Sequence, residues 1–200
     1  MKESRGDNRG FSLVELVVVV AIMAVMGAFF FLGNALLAGQ YARECASDIS
    51  AALSKEKNYA LTRSATIDCY MELTYDTDGV YVRYYQPKNA IATGKDPDSG
   101  SYRGDDWILA EEEKVGKHNV RVVCEMSDSS SVTIGTGHSV KFIYDRISGA
   151  FKPAVVSDGG TDGIESVSTV YCDRIKIYGG RTYDITIYSA TGKHELTRVD

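Results

Sequence analysis

The sequence predicts an α+β protein: a long N-terminal helix followed by a head of antiparallel β-strands. Three observations predict it. Residues 11–38 are almost wholly apolar, whereas residues 40–200 are polar and glycine-rich. From Gln40 to Arg63 the apolar positions recur every three or four residues, the period of a helix with one covered face. From Ala65 the period drops to two, with turn residues between the alternating runs. These breaks divide the chain at 1–10, 11–39, 40–64 and 65–200.

The length of 200 residues suits one compact domain with an appendage. A hydrophobic content of 44% and a mean hydropathy of −0.16 resemble an ordinary globular protein, but the averages hide the division. The formal net charge is −5; the first ten residues carry Lys2, Arg5 and Arg9 against Glu3 and Asp7, which leaves −6 on the remainder. An acidic head argues against general nucleic-acid binding and leaves room only for a local basic patch.

The apolar run "FSLVELVVVVAIMAVMGAFFFLGNALLAG" spans 11–39. As a helix it reaches roughly 40 Å, enough to cross a hydrocarbon core of about 30 Å. A secretory signal has an apolar region of only about 7–15 residues, followed by a small-residue cleavage site. Here the run is longer and the small-polar junction precedes it. Lys2, Arg5 and Arg9 also precede it, so the N-terminus stays cytoplasmic and the remainder is exported. Glu15 is the only charged side chain between Phe11 and Gly39. A carboxylate at a bilayer centre costs about 2.5–3.5 kcal/mol on insertion scales, so a partner is expected. The residues alone leave two alternatives: a buried soluble helix, or a carboxylate that snorkels or stays protonated.

The helix is expected to continue beyond the apolar run, from about Ser12 to Arg63. Ala42, Cys45, Ala46, Ile49, Leu53, Ala60 and Leu61 fall near one face, and Arg43, Glu44, Ser47, Asp48, Ser54, Lys55 and Asn58 on the other. No proline appears before Pro87, while Gly27, Gly33 and Gly39 soften the rod.

In the head, "ATIDCYMELTY", "DTDG" and "VYVRYY" read as a hairpin. "NVRVVCEM", "SVKFIYD", "GAFKPAVV", "CDRIKIY" and "RTYDITIYS" add strands, and "SATGK" is a turn into a last short strand. The thirteen tyrosines lie largely in these strands, as half-buried pleated surfaces favour. Residues 86–106 form a long stretch without periodicity, a length uncommon in a compact domain. Residues 157–166 are shorter and acidic. Asp96, Asp98, Asp105, Asp106, Asp158 and Asp162 are oxygen donors of the type calcium takes, but their spacing is not that of an EF-hand, and solvated loops are expected. "RGD" occurs at 5–7 and 103–105, too short a match to carry an adhesive role.

Four cysteines allow three connectivities. Cys45 and Cys69 would lie about 30 Å apart along a straight helix, far beyond a disulfide's reach. A bridge among Cys69, Cys124 and Cys172 is open, as are reduced buried thiols. No C-x-x-C pair is present, so no zinc or redox site is expected. His118, His138 and His194 are isolated in sequence, and neither G-x-S-x-G nor H-E-x-x-H appears. No enzyme, cofactor or metal site is expected.

Gly10, Phe11, Ser-Leu-Val, Glu15 and the hydrophobic run behind them resemble the class III leader of type IV pilins and pseudopilins. The resemblance implies cleavage between Gly10 and Phe11 by a membrane aspartyl prepilin peptidase, and N-methylation of Phe11. It implies that Glu15 pairs with the N-terminal amine of a neighbouring subunit. The chemistry agrees. Cleavage creates a cation on an apolar helix within about 6 Å of Glu15 along the axis. Both ions are costly alone and attract in low dielectric. A subunit offset along a filament supplies the missing charge.

The implied fold is pilin-like: a helix whose first half is transmembrane and whose amphipathic second half packs on the β head. Many major pilins carry a proline where this chain has Leu32, which puts local melting of the helix in doubt. "ALSKEKNYALTRSATIDC", "VKFIYDRISGAF" and "IKIYGGRTYDITIYSATGKHEL" also resemble H-type minor pseudopilins and FimT-like minor pilins. That resemblance implies a low-abundance subunit at filament initiation or tip. The implied partners are prepilin peptidase, other pilin or pseudopilin subunits, the inner-membrane assembly platform and the lipid bilayer. The implied location is a single-pass inner-membrane precursor, then a periplasmic or extracellular filament. The alternative is a DNA-binding minor pilin of a competence system, with nucleic acid met by Arg174, Lys176, Arg181, Lys193, His194 and Arg198.

Overall fold

A computed structural model describes residues 12–62, 69–87, 107–157, 166–167 and 170–199, excepting the side chains of 30–38, 87, 107, 166 and 167. The chain divides into two compact units, Met1–Leu37 and Ala38–Asp200.

Helix α1 covers Leu13–Thr62. Ser12 caps it: its carbonyl accepts from Leu16 N at 3.2 Å, and its amide donates to Glu15 Oε2 at 3.3 Å. Serine followed three residues later by glutamate is a capping-box sequence. At the other end Thr62 Oγ1 donates to the Asn58 carbonyl at 2.8 Å.

Within the second unit, α1 buries Ala42, Cys45, Ala46, Ile49, Ala52, Leu53 and Ala60. The alanines bring the helix close to the strands. Leu61, expected on this face, is 44% exposed, whereas Glu56 is 2% exposed. The steps 49, 53, 56, 60 follow one stripe of a 3.6-residue helix, and position 61 turns out of it. Helical geometry thus buries an acid and exposes a leucine.

The strands are β1 (Tyr70–Asp76), β2 (Gly79–Pro87), β3 (Trp107–Lys117), β4 (Arg121–Met126), β5 (Ser131–Thr133), β6 (Ser139–Ile143), β7 (Val155–Ser157), β8 (Ser166–Val167), β9 (Cys172–Tyr178), β10 (Thr182–Tyr188) and β11 (Lys193–Val199). They form a six-stranded sheet, β3-β2-β1-β6-β7-β8, and a five-stranded sheet, β11-β10-β9-β4-β5. Every pairing of named strands is antiparallel. The expected first hairpin is present, with Asp76 opposite Gly79 across a two-residue turn.

Alternation places Met71, Leu73, Val80, Val82, Val140 and Phe142 of the larger sheet in one core with Val122, Cys124, Ile175, Ile177, Ile185 and the helix stripe. A smaller cluster, Tyr70, Ile143 and Val155 with Tyr85, lies apart from it; Tyr70 and Tyr85 stack at 4.7 Å.

Three strands are absent from the sequence reading. β3 contains Glu111, Glu112, Glu113 and Lys114, and such a run does not alternate. It is an edge strand, where charge guards against pairing with another chain. Glu112 accepts from Arg83 Nε at 2.6 Å, and Lys55 of α1 bonds Glu111 and Glu113 at 2.9 and 2.5 Å. β5 and β8 are too short to show a period. The single strand expected over "GAFKPAVV" is instead a Tyr144–Phe151 bridge followed by β7. Pro153 between them lacks a ladder N–H.

Two turns interlock. Gly192 has φ +59° and donates to the Tyr188 carbonyl at 2.9 Å. A Cβ at Gly192 would overlap the carbonyl oxygen of Gly149 in the turn after β6. Only glycine meets both demands.

Candidate functional site

The first turn of α1 holds Glu15, its acidic residue. In the first unit Leu13, Leu16, Val17, Ile22, Met23 and Phe29 are all at least half exposed, and they lie on every side of the helix. Such a rod leaves apolar surface in water all round its axis. Among the described residues no helix is long and apolar enough to cross a membrane. Within the run the side chains are described over 12–29 and at Gly39, and a span needs about 20 residues. Gly10 and Phe11 lie outside the described residues.

Glu15 has a hydrogen-bond donor in its own chain, the Ser12 amide. The carboxylate therefore sits at the positive end of the helix dipole, where negative charge is favoured. The arrangement holds a negative charge at the tip of an apolar rod and does not itself supply a cation.

The basic residues near the C-terminus do not form one free patch. Lys176 Nζ lies 2.7 Å from Glu125 Oε1, and Arg174 lies 3.8 Å from both Glu125 and Asp184. The aliphatic part of Arg181 covers Gly39 on α1. His194 is half-buried against Ser50 and Ser54. Lys193 and Arg198 are exposed on β11.

All four cysteines are buried and none is bridged. β4 and β9 bring Cys124 and Cys172 onto one core face, because a register shift after Glu125 places Cys172 opposite Met126. Contact with the Cys172 thiol, together with burial, pushes the Cys124 thiol well up. Burial and the Asp48 charge push Cys45 up to about 12. Cys69 is placed just before β1.

Among the described residues no group of three or more His, Cys, Asp or Glu is placed to hold a metal. Asp96, Asp98, Asp105, Asp106, Asp158 and Asp162 lie outside the described residues, as does the RGD at 103–105. His118 lines an open cavity of about 420 Å³ with Tyr41, Asp48 and Lys117. His138 sits in a turn, its Nδ1 3.3 Å from the Thr136 carbonyl. The histidines are thus on separate elements.

Sequence reasoning missed the burial of Glu56. Its charge bears on the phenols of Tyr84 and Tyr144, which burial already pushes up. The step of three from Leu53 was the available signal.

Residues 5–31 match the prokaryotic N-terminal methylation motif. Gly10, Phe11 and Glu15 all fall inside the match. This motif is a type IV pilin-like prepilin leader, and it implies a subunit that prepilin peptidase processes and that assembles with other pilin subunits. No curated protein and no solved structure matches the chain.

Proposed function

We propose that the chain is a minor pilin or pseudopilin, of the H-type kind, that assembles into a type IV pilus-like or type II secretion-like filament. Its role is structural rather than catalytic. The run 11–39 anchors the precursor in the inner membrane, with the β head exported. Prepilin peptidase cuts between Gly10 and Phe11, and Phe11 is then N-methylated. The helix next leaves lipid for a bundle of like helices, so its apolar surface stays out of water in both states.

The observation that carries this reading is the single carboxylate in the first turn of α1, at the head of a segment that is otherwise apolar and, over 13–29, exposed on every side, within a methylation motif. Glu15 meets the new N-terminal amine of an adjacent subunit and sets the axial offset. The test is Glu15→Ala, followed for cleavage and for recovery in sheared filaments. Normal cleavage with impaired incorporation is expected. Unchanged incorporation contradicts the pairing role.

A further inference from the structure

β11 is an outer strand of the five-stranded sheet, and along it only His194 is not exposed. The ring reaches α1: Nε2 lies 3.1 Å from Ser50 Oγ and 3.3 Å from Ser54 Oγ. Ser54 donates its own proton to the Ser50 carbonyl at 3.1 Å. Its Oγ can therefore only accept from the ring, which favours the Nε2–H tautomer. Nδ1 is buried with no hydrogen-bond partner among the described residues.

We propose that His194 is a pH-sensitive fastening between the C-terminal strand and helix α1: neutral, it holds β11 against the helix, and protonated, it releases the strand. The added proton goes to Nδ1, which has no acceptor, and a buried donor left unsatisfied is costly. The charged group of α1 that acts on the ring is Lys57, itself held 2.9 Å from the Thr191 carbonyl. Ile187, opposite His194 on β10, carries no charge. Lys193 and Glu195 alternate onto the other face of the strand. The imidazolium thus faces a cation.

The direction of titration follows. Burial, opposed by a ring bond to the Ser50 backbone and reinforced by Lys57, lowers the His194 pKa below 6.5. The folded state then binds the proton less readily than the unfolded state. The fastening is complete well above pH 6.5, weakens as pH falls through that value, and is weakest below the depressed folded pKa.

The test is amide hydrogen exchange of the full chain in detergent micelles at pH 7.5 and 5.0, corrected for intrinsic rates, with the His194 ring titrated by NMR. Protection over 193–199 is expected to fall at low pH, by roughly tenfold for each unit of pKa depression, while β4 and β9 keep theirs. His194→Gln is expected to abolish the pH response. Lys57→Met is expected to raise the ring's midpoint and, by reducing the depression, to shrink the low-pH loss of protection with it. The proposal is overturned by unchanged wild-type protection, by a pH response that survives in His194→Gln, or by a midpoint that moves without the exchange.

Discussion

The backbone amide of Ser12 donates to Glu15 Oε2 at 3.3 Å, across the first turn of α1. The acid is thereby oriented at the end of its own helix. In the proposed pairing a neighbouring subunit's ammonium competes with that amide and is favoured because both partners are charged. Glu15→Gln keeps the shape and removes the charge. We expect normal cleavage and a fall in filament incorporation of about tenfold or more, as loss of a charge-assisted bond of about 1.5–3 kcal/mol implies. Quantitative blotting of sheared filaments checks it.

The processed chain is expected to begin at Phe11 with one added methyl group, read by intact mass and N-terminal sequencing. Gly10→Val is expected to leave the precursor uncut. A bulky side chain at the cleavage junction then separates processing from membrane insertion.

Leu53 is fully buried where α1 meets the strands, and Leu61 is 44% exposed. Leu53→Ala is expected to cost about 2–5 kcal/mol. Leu61→Ala should stay within about 0.5 kcal/mol. Chemical denaturation in detergent distinguishes the two, and equal effects would mean the helix stripe is wrongly placed.

Gly192→Ala is expected to destabilise the head by at least about 2 kcal/mol. A residue with a side chain is strained at φ +59°, and its Cβ would overlap the Gly149 carbonyl oxygen. The measurement is the thermal midpoint against that of Ala190→Ser, a control at an exposed position of the same turn.

The four thiols should resist alkylation in the folded chain and react fully in denaturant. All are buried, and those of Cys45 and Cys124 are pushed up, so the thiolate that reacts is scarce at pH 8. Mass spectrometry after timed alkylation counts them. Rapid labelling of Cys45 in the folded state would contradict its place under the sheet.

Much of the fold was legible because the signals are local. Alternation marked β1, β2, β4, β6, β9 and β10, and the helical period ran to within a residue of both ends of α1. Glu15 stood out because one charge in a long apolar run needs no tertiary information to be noticed. β3 was illegible because its glutamates are answered by Lys55 and Arg83 on other elements, 58 and 29 residues away. The same holds for His194, whose partners Ser50 and Ser54 lie 144 and 140 residues distant.

The amino-acid order by itself determined the apolar rod, its single acid, the switch of period near residue 65 and the turn glycines. Each is a pattern among neighbours, set by the geometry of one helix or one strand. Tertiary structure fixed which stripe of the helix is covered, so that Glu56 is buried and Leu61 is not, and it alone decided that Arg174 and Lys176 are paired with acids and that Cys124 meets Cys172. Those outcomes depend on strand register and on how one helix is rotated against two sheets, and a rotation of 100° per residue turns a small change in docking into a different buried face.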